Sequence, residues 1–342
     1  MEKWHDDPKL DGHIIISCRC RLARNIKKYP FTTALNAETA SAVVKEAVGA
    51  LKNDRNPLSA CFEYIDVANS SPLERQALVN RHAASPEFIK KDGPKGLLVK
   101  VDESCSVMIN EEDHIRIQSI YPGDDIDAAW DMTDKLDDLI EESVEYAFDG
   151  DYGYLTSCPT NTGTGLRASF MVHIPLLERM GQFRQIVQTI GKFGMTARGI
   201  YGEGTEPMGS IYQISNQVTI GKSEREIIKS LQGVTNRIIE QETKLRDNIV
   251  RSNIADISDV AYRAYGILSN CRKISGKEAI KLLSDVRLGY MTGILDKKRP
   301  KKNIYSIIMN IQPGLLQYVH GHEIPEEKRD ILRADYIRDN FS

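Results

Sequence analysis

Nowhere does the chain of 342 residues run to eighteen consecutive apolar residues, and its N-terminus lacks the basic-then-apolar pattern of an export signal. Both absences argue against a membrane span and against secretion, so the expected compartment is the cytoplasm. The six cysteines, Cys18, Cys20, Cys61, Cys105, Cys158 and Cys271, include no CxxC pair. Neither a zinc knuckle nor a disulfide framework is therefore expected, and a reducing compartment fits. Cys18-Arg-Cys20 places two thiols on one face of a strand, which disfavours a simple bridge. No Gly-Lys-Ser/Thr closes a glycine-rich loop and no GxGxxG follows an early strand, so the common NTPase and dinucleotide folds are poorly supported. Repeats and low-complexity segments are missing too. A net charge of −3 does not announce a nucleic-acid protein.

What is present suffices for two domains with a real core, since 41% of the residues are hydrophobic. Residues 1–255 carry an acidic excess and residues 256–342 a basic one, which supports a division there. Alternating or β-branched stretches predict strands at 13–17, 96–101, 105–110, 115–120, 168–174, 195–199 and 210–215. An acidic helix with an apolar stripe is expected over 125–149. Ser223-Glu-Arg-Glu226 has the capping-box pattern and opens a long helix. Beyond residue 255 the strand signals fade. Helices are expected at 257–269, 275–288, 303–319 and 325–338, with Gly and Pro at the joints and the basic run 297–302 as a solvated loop.

The chemistry-bearing residues fall in separate stretches. Arg19, Arg21 and Arg24 crowd the segment Ser17-Cys-Arg-Cys-Arg-Leu-Ala-Arg24. On an extended segment Arg19 and Arg21 point the same way and form a two-pronged clamp for a polyanion such as a nucleotide triphosphate; a solvated basic edge strand is the plainer alternative. Cys158-Pro-Thr-Asn-Thr-Gly-Thr-Gly-Leu-Arg167 reads as a loop whose backbone approaches a ligand, with Arg167 placed to grip a phosphate. Arginines nearby can lower the Cys158 thiol pKa, against the ordinary alternative of an inert buried cysteine. Glu111 and Glu112 sit in an expected hairpin turn, and Glu203 and Glu206 in Arg198-Gly-Ile-Tyr-Gly-Glu-Gly-Thr-Glu206. Arg116 and Arg198 neighbour the two pairs, so the pattern is either a salt-bridge network or a bipartite cleft, arginines for an anionic donor and carboxylates for a cationic acceptor. A guanidinium suits the second role, because its nitrogen is a poor nucleophile until carboxylates orient it and take a proton. Phosphoryl transfer needs chiefly positioning and neutralisation of the phosphate oxygens.

Four motifs in order, Ser17-x-Arg-x-Arg21 with Arg24, Asn110-Glu-Glu-Asp-His-x-Arg116, Cys158-Pro-Thr-Asn-x-Gly-Thr-Gly-x-Arg167 and Arg198-Gly-x-x-Gly-Glu203, resemble those of the ATP:guanido phosphotransferases, the phosphagen kinase family, over residues 13–250. The resemblance implies an α+β fold, with an antiparallel-sheet catalytic domain flanked by helices (residues 1–255); a small all-α domain (residues 256–342) follows, for which the further likeness given below implies dimerisation and phosphoarginine binding. It implies ATP and Mg²⁺ as cofactors, the metal held mainly by ATP oxygens and water. Ser17, Arg19, Arg21, His82, Arg116, Arg167, Ala168, Ser169, Phe170, Met171, Arg198, Gly199, Ile200, Tyr201 and Gly202 become nucleotide residues by the same resemblance. Glu112 and Glu203 become the carboxylates that bracket the guanidino group, and Cys158 an aligning residue rather than a covalent nucleophile.

The departures narrow the reading. Family members acting on free arginine or creatine carry a helical domain before the first arginine motif, whereas only sixteen residues precede Ser17. The added helical C-terminal part, with Arg329-Asp-Ile-Leu-Arg-Ala334, is instead similar to the bacterial protein-arginine kinases, where this motif binds phosphoarginine. Arg329, Asp330, Arg333 and Ala334 are then expected at that site, the arginines four apart on one helix face. The implied activity is phosphorylation of arginine side chains in proteins, in stress-response quality control. Implied partners are protein substrates with exposed arginines, a McsA-type activator, the CtsR repressor, a Clp protease and a second copy of the chain. Cys18 and Cys20 depart from the residues common at those places and are expected to be tolerated strand substitutions. Two rivals remain: a kinase for a small free guanidino compound, and a non-catalytic phosphoarginine-binding module.

Overall fold

The computed structural model describes residues 3–53, 56–199, 208–295 and 299–342. Ten strands are defined among them: β1 (Ile15–Arg24), β2 (Phe62–Ile65), β3 (Gly96–Lys100), β4 (Cys105–Ile109), β5 (Ile115–Pro122), β6 (Phe148–Asp149), β7 (Gly153–Tyr154), β8 (Leu166–His173), β9 (Met195–Gly199) and β10 (Ile211–Asn216). Eight of these form one sheet in the order β2-β3-β4-β5-β1-β8-β10-β9, while β6 and β7 make a separate hairpin. Every pairing in the large sheet is antiparallel.

Helices α1 (Ala37–Leu51), α2 (Pro72–Asn80), α3 (Pro86–Lys90), α4 (Ile126–Glu141), α5 (Pro175–Arg179), α6 (Phe183–Gly191) and α7 (Glu224–Ser252) accompany the sheet. Then follow α8 (Ile254–Asn270), α9 (Gly276–Met291), α10 (Ile304–Asn310), α11 (Pro313–His320) and α12 (Glu326–Phe341). The main core lies between one sheet face and α1, α4 and α7, with Cys18, Cys20, Leu22, Ile117, Phe170, Leu136 and Leu231 packed together. Cys18 and Cys20, expected to be tolerated strand substitutions, are fully buried core residues. Burial pushes the Cys20 thiol up to about 12, which removes thiolate chemistry at neutral pH.

Three expected elements differ. β1 does not stop at Ser17 but continues through the whole arginine segment, because period-two alternation sinks Cys18, Cys20 and Leu22 on one side. The acidic helix ends at Glu141, where a crowd of carboxylates faces the negative end of the helix dipole. The chain then turns inward at Val144 and Tyr146 before β6. The expected helix over 303–319 is split into α10 and α11 at Pro313, which lacks an N–H and holds Gln312 extended. The short strand β2 was not foreseen; only Phe62 of its four residues is buried.

The C-terminal helices do not keep a core to themselves. Tyr305, Ile308 and Leu283 pack in one cluster with Trp4 and Leu10 from the N-terminal segment and with Ile16, Ile120 and Ile211 from the sheet. A buried polar seam reinforces the junction: Arg287 donates to the Leu10 carbonyl at 2.7 Å, and Asp11 accepts from the Ile304 N–H at 2.9 Å.

Candidate active site

Strand register builds the site. Arg21 on the inner strand β1 lies across from Gln118 of β5 on one side and Arg167 of β8 on the other. Arg19 faces Ile120 and Ser169, and Ser17 faces Pro122 and Met171. Farther out, β10 sets Gln213 beside Met171, and β9 sets Arg198 beside Gln213. Alternation puts these residues on the sheet face opposite the main core. They form the floor of a cleft with a cavity of about 610 Å³ lined in part by Arg19, Arg21, His82, Arg116, Arg167 and Arg198. That volume suits a nucleotide-sized ligand.

Like charges directly opposed across a ladder are destabilising, and Arg21 opposite Arg167 is such a pair. Burial, then the neighbouring Arg19, Arg116 and Arg167, pull the Arg21 guanidinium well below its ordinary value. Burial and the same kind of crowding, from Arg116 and Arg167, bring Arg19 to about 10. The Arg21 Nε is buried without a hydrogen-bond partner among the described residues. A polyanion supplies what this arrangement lacks.

The carboxylates come from the tight β4–β5 turn, where Asn110 takes a left-handed φ of 64°. The structure separates the Glu111/Glu112 pair. Glu111 is buried and belongs to the fold, accepting from both Arg116 Nη1 at 2.6 Å and the Ser85 hydroxyl at 2.6 Å. Its burial is overcome by the Arg116 charge, which holds its carboxyl at about 2. Glu112 is exposed at the mouth of the cleft, yet partial desolvation pushes its carboxyl up against the opposing pull of Arg116. In a cavity of about 220 Å³, Glu112 and Cys158 meet Arg21, Arg116, Arg167 and Arg198. Asn161 Nδ2 lies 3.4 Å from Glu112, and Cys158 Sγ lies 3.0 Å from the Thr160 hydroxyl. From Glu112 a further groove leads past Lys91 to Thr32 and Thr33.

Two residues that the sequence did not single out clamp this end. Buried Asp113 accepts from Asn25 Nδ2 and from the Ser157 N–H, both at 2.7 Å, and so ties the hairpin to the Cys158 loop. His114 Nδ1 accepts from the Ile26 N–H at 3.0 Å. Their only sequence signal was membership of the Asn110 to Arg116 motif.

Other expected residues lie elsewhere. Arg24 is on the core side of β1, where it pairs with Asp137 of α4 at 2.6 Å and covers the Tyr154 ring. It is no part of the anion clamp. Ala168 and Phe170 are also core residues, by the same alternation that leaves Ser169 and Met171 in the cleft. Gly163 and Gly165 serve the protein rather than a ligand, since a Cβ there would meet Thr219 O at 2.5 Å and Ala23 O at 2.6 Å. Gly199 ends β9, buried. Glu203, Glu206, Ile200, Tyr201 and Gly202 lie outside the described residues. On α12, Arg333 is buried and donates to the Ile274 and Ile311 carbonyls and to Asp330, while Arg329 donates to the Ile324 carbonyl. Ala334 is packed inside.

Comparison with known proteins matches residues 42–245 to the ATP:guanido phosphotransferase C-terminal catalytic domain and residues 254–342 to the protein-arginine kinase McsB C-terminal domain. The chain is 46% identical over 327 residues to a protein-arginine kinase of Caldanaerobacter subterraneus subsp. tengcongensis, covering 96% of each. It is 43% identical to that of Bacillus subtilis, covering all of this chain and 93% of the relative. Among solved structures, a lombricine kinase superposes with a TM-score of 0.61 at 27% identity, covering 68% of this chain and 67% of the other. With both matched regions in sequence and relatives alike over nearly their full length, the chain belongs to the ATP:guanido phosphotransferases, in the protein-arginine kinase family.

Proposed function

We propose that the chain transfers the γ-phosphoryl group of MgATP to a guanidino nitrogen of arginine side chains in proteins. The observation that carries this reading is the meeting of Arg21, Arg116, Arg167 and Arg198 with Glu112 and Cys158 in one cavity. The cations take the phosphate oxygens, and Glu112 takes the incoming guanidinium. The nitrogen forms a bond to the γ-phosphorus as the bond from that phosphorus to the bridging oxygen breaks. ADP leaves with the electron pair, and the nitrogen's proton passes to a carboxylate or to water. A carboxyl raised towards neutrality, as desolvation makes Glu112, is the better proton acceptor. Glu203 is proposed as the second carboxylate, and Cys158 as the group that aligns the guanidinium. Magnesium enters as part of the substrate, held on phosphate oxygens and water. A donor set of guanidiniums fits phosphate oxygens.

The groove past Lys91 supports a protein substrate, because it gives the chain flanking the target arginine somewhere to lie. Residues 1–255 are proposed as the catalytic domain and 256–342 as a dimerising domain whose Arg329, Asp330, Arg333 and Ala334 bind phosphoarginine. The cytoplasm, the McsA-type activator, CtsR, a Clp protease and a role in stress-response quality control belong to the same proposal. Incubation with labelled ATP and an arginine-rich protein tests it. Label lost in acid and kept in alkali, with free arginine a poor competitor, supports the reading. Acid-stable label, or efficient competition by free arginine, overturns it.

A further inference from the structure

At the inner end of the cleft, Trp4, Ser17, Arg19, His82, Ser169 and Met171 surround a narrow recess. His82 follows α2 with a left-handed φ of 60°, a conformation costly for a residue with a Cβ. Its carbonyl accepts from Gln118 Nε2 at 2.6 Å, and its N–H donates to the Val79 carbonyl at 3.0 Å. The imidazole Nε2 lies 3.0 Å from the hydroxyl of Tyr305, 223 residues away on α10. Tyr305 is fully buried, with its ring 6.0 Å from that of Trp4.

The same turn is held a second time from the C-terminal half. Arg81 lies over the Tyr318 ring of α11 at 5.1 Å and 3.4 Å from Glu103. Helices α11 and α2 are in contact, so close at Gly314 that a Cβ there would sit 2.3 Å from Asn80 Oδ1. Burial, then the charges of Arg19 and His5, hold the His82 imidazole at about 3. The ring is therefore neutral near pH 7, with one donor and one acceptor nitrogen, and the Tyr305 hydroxyl, able both to donate and to accept, holds Nε2 in either tautomer.

We infer that Tyr305, contributed by the C-terminal half, is a positioning residue for the nucleotide: its hydroxyl fixes the orientation of the His82 ring at the inner end of the cleft. The helical half of the chain thereby sets nucleotide affinity, independently of anything bound on α12. This inference rests on the kinase reading, in which the cleft takes MgATP.

The test is a double-mutant cycle in the full chain, with MgADP as the probe by calorimetry. Tyr305→Phe removes only the hydroxyl and keeps the packed ring. Loss of one such hydrogen bond is expected to weaken MgADP binding roughly two- to tenfold. The KM for ATP should rise in step while kcat falls by less. In a His82→Ala background the same change should cost almost nothing, because Tyr305 acts through the imidazole. A thermal melt of each variant separates unfolding from loss of affinity. Unchanged affinity in the folded Tyr305→Phe protein overturns the inference, as does a loss undiminished in the His82→Ala background. A wild-type chain that does not bind MgADP at all overturns the kinase reading itself, a distinguishable failure.

Discussion

Glu111→Gln exposes the electrostatic logic of the cleft. Glu111 is 95% buried and accepts twice from Arg116, which itself stands among Arg19, Arg21 and Arg167. Burial alone would raise its carboxyl, but the guanidinium holds it at about 2 against an ordinary 4.5. A shift of this size corresponds to about 3 kcal/mol of folding stability. Because the folded-state pKa is depressed, that stability is present above the unfolded value near 4.5 and is lost as pH falls towards 2. Substitution with glutamine leaves a buried, uncompensated guanidinium, a change of the class that costs about 3–5 kcal/mol. Denaturant melts of wild type and variant across pH 7 to 3, without nucleotide, provide the assay. The variant is expected to be about 3 kcal/mol less stable above pH 5, with the gap falling below half by about pH 3. Equal stability at pH 7, or a gap that persists undiminished in acid, would refute the reasoning.

Glu112→Gln should lower phosphoryl transfer at least ~100-fold while MgADP affinity changes little, measured by label transfer alongside calorimetry; retained turnover would remove Glu112 from the chemistry. Arg21→Gln relieves the opposition to Arg167 and Arg19, so the empty protein should melt higher, by about 1 kcal/mol, yet bind MgADP at least ~10-fold more weakly. A variant less stable than wild type would show that Arg21 supports the fold rather than the ligand. Arg24→Met strips the buried Asp137 of its partner and should cost about 3 kcal/mol in denaturant melts, leaving the nucleotide affinity of the folded protein close to wild type. A selective loss of affinity would bring Arg24 into the nucleotide site.

Period-two patterning made most of the sheet legible, but it did not by itself say which strand face is which. Arg19, Arg21 and Arg24 look equivalent in sequence, yet odd and even positions part them: two line the cleft, and Arg24 crosses to Asp137, 113 residues on. By the same alternation the side chains of Ala168 and Phe170 go to the core. Glu111 and Glu112 are neighbours whose roles diverge through Arg116 and Ser85, partners that only the fold brings near. The glycines of the Cys158 loop signalled close approach correctly. What approaches is Thr219 and Ala23, which no local pattern names. Trp4 and Tyr305, at opposite ends of the chain, had no motif at all and meet only because the N-terminal segment and α10 share one core.

The two adjacent carboxylates explain how one small turn serves both halves of a transfer reaction. Burial raises both, and the outcome depends on how firmly Arg116 answers. Glu111 accepts directly from that guanidinium and stays ionised far into acid, so it holds Arg116 in place for the proposed phosphate binding. Glu112 feels the same charge without a direct bond from it, together with repulsion from Asp113 and Glu111, and its carboxyl rises. One is an anchor, and the other is free for the proton exchange proposed for it. Environments that drive neighbouring carboxyl pKa values apart are how a site assigns acid and base work at a single pH. Here the separation comes from a hairpin tight enough to aim consecutive side chains in different directions, one of them at Arg116 and Ser85.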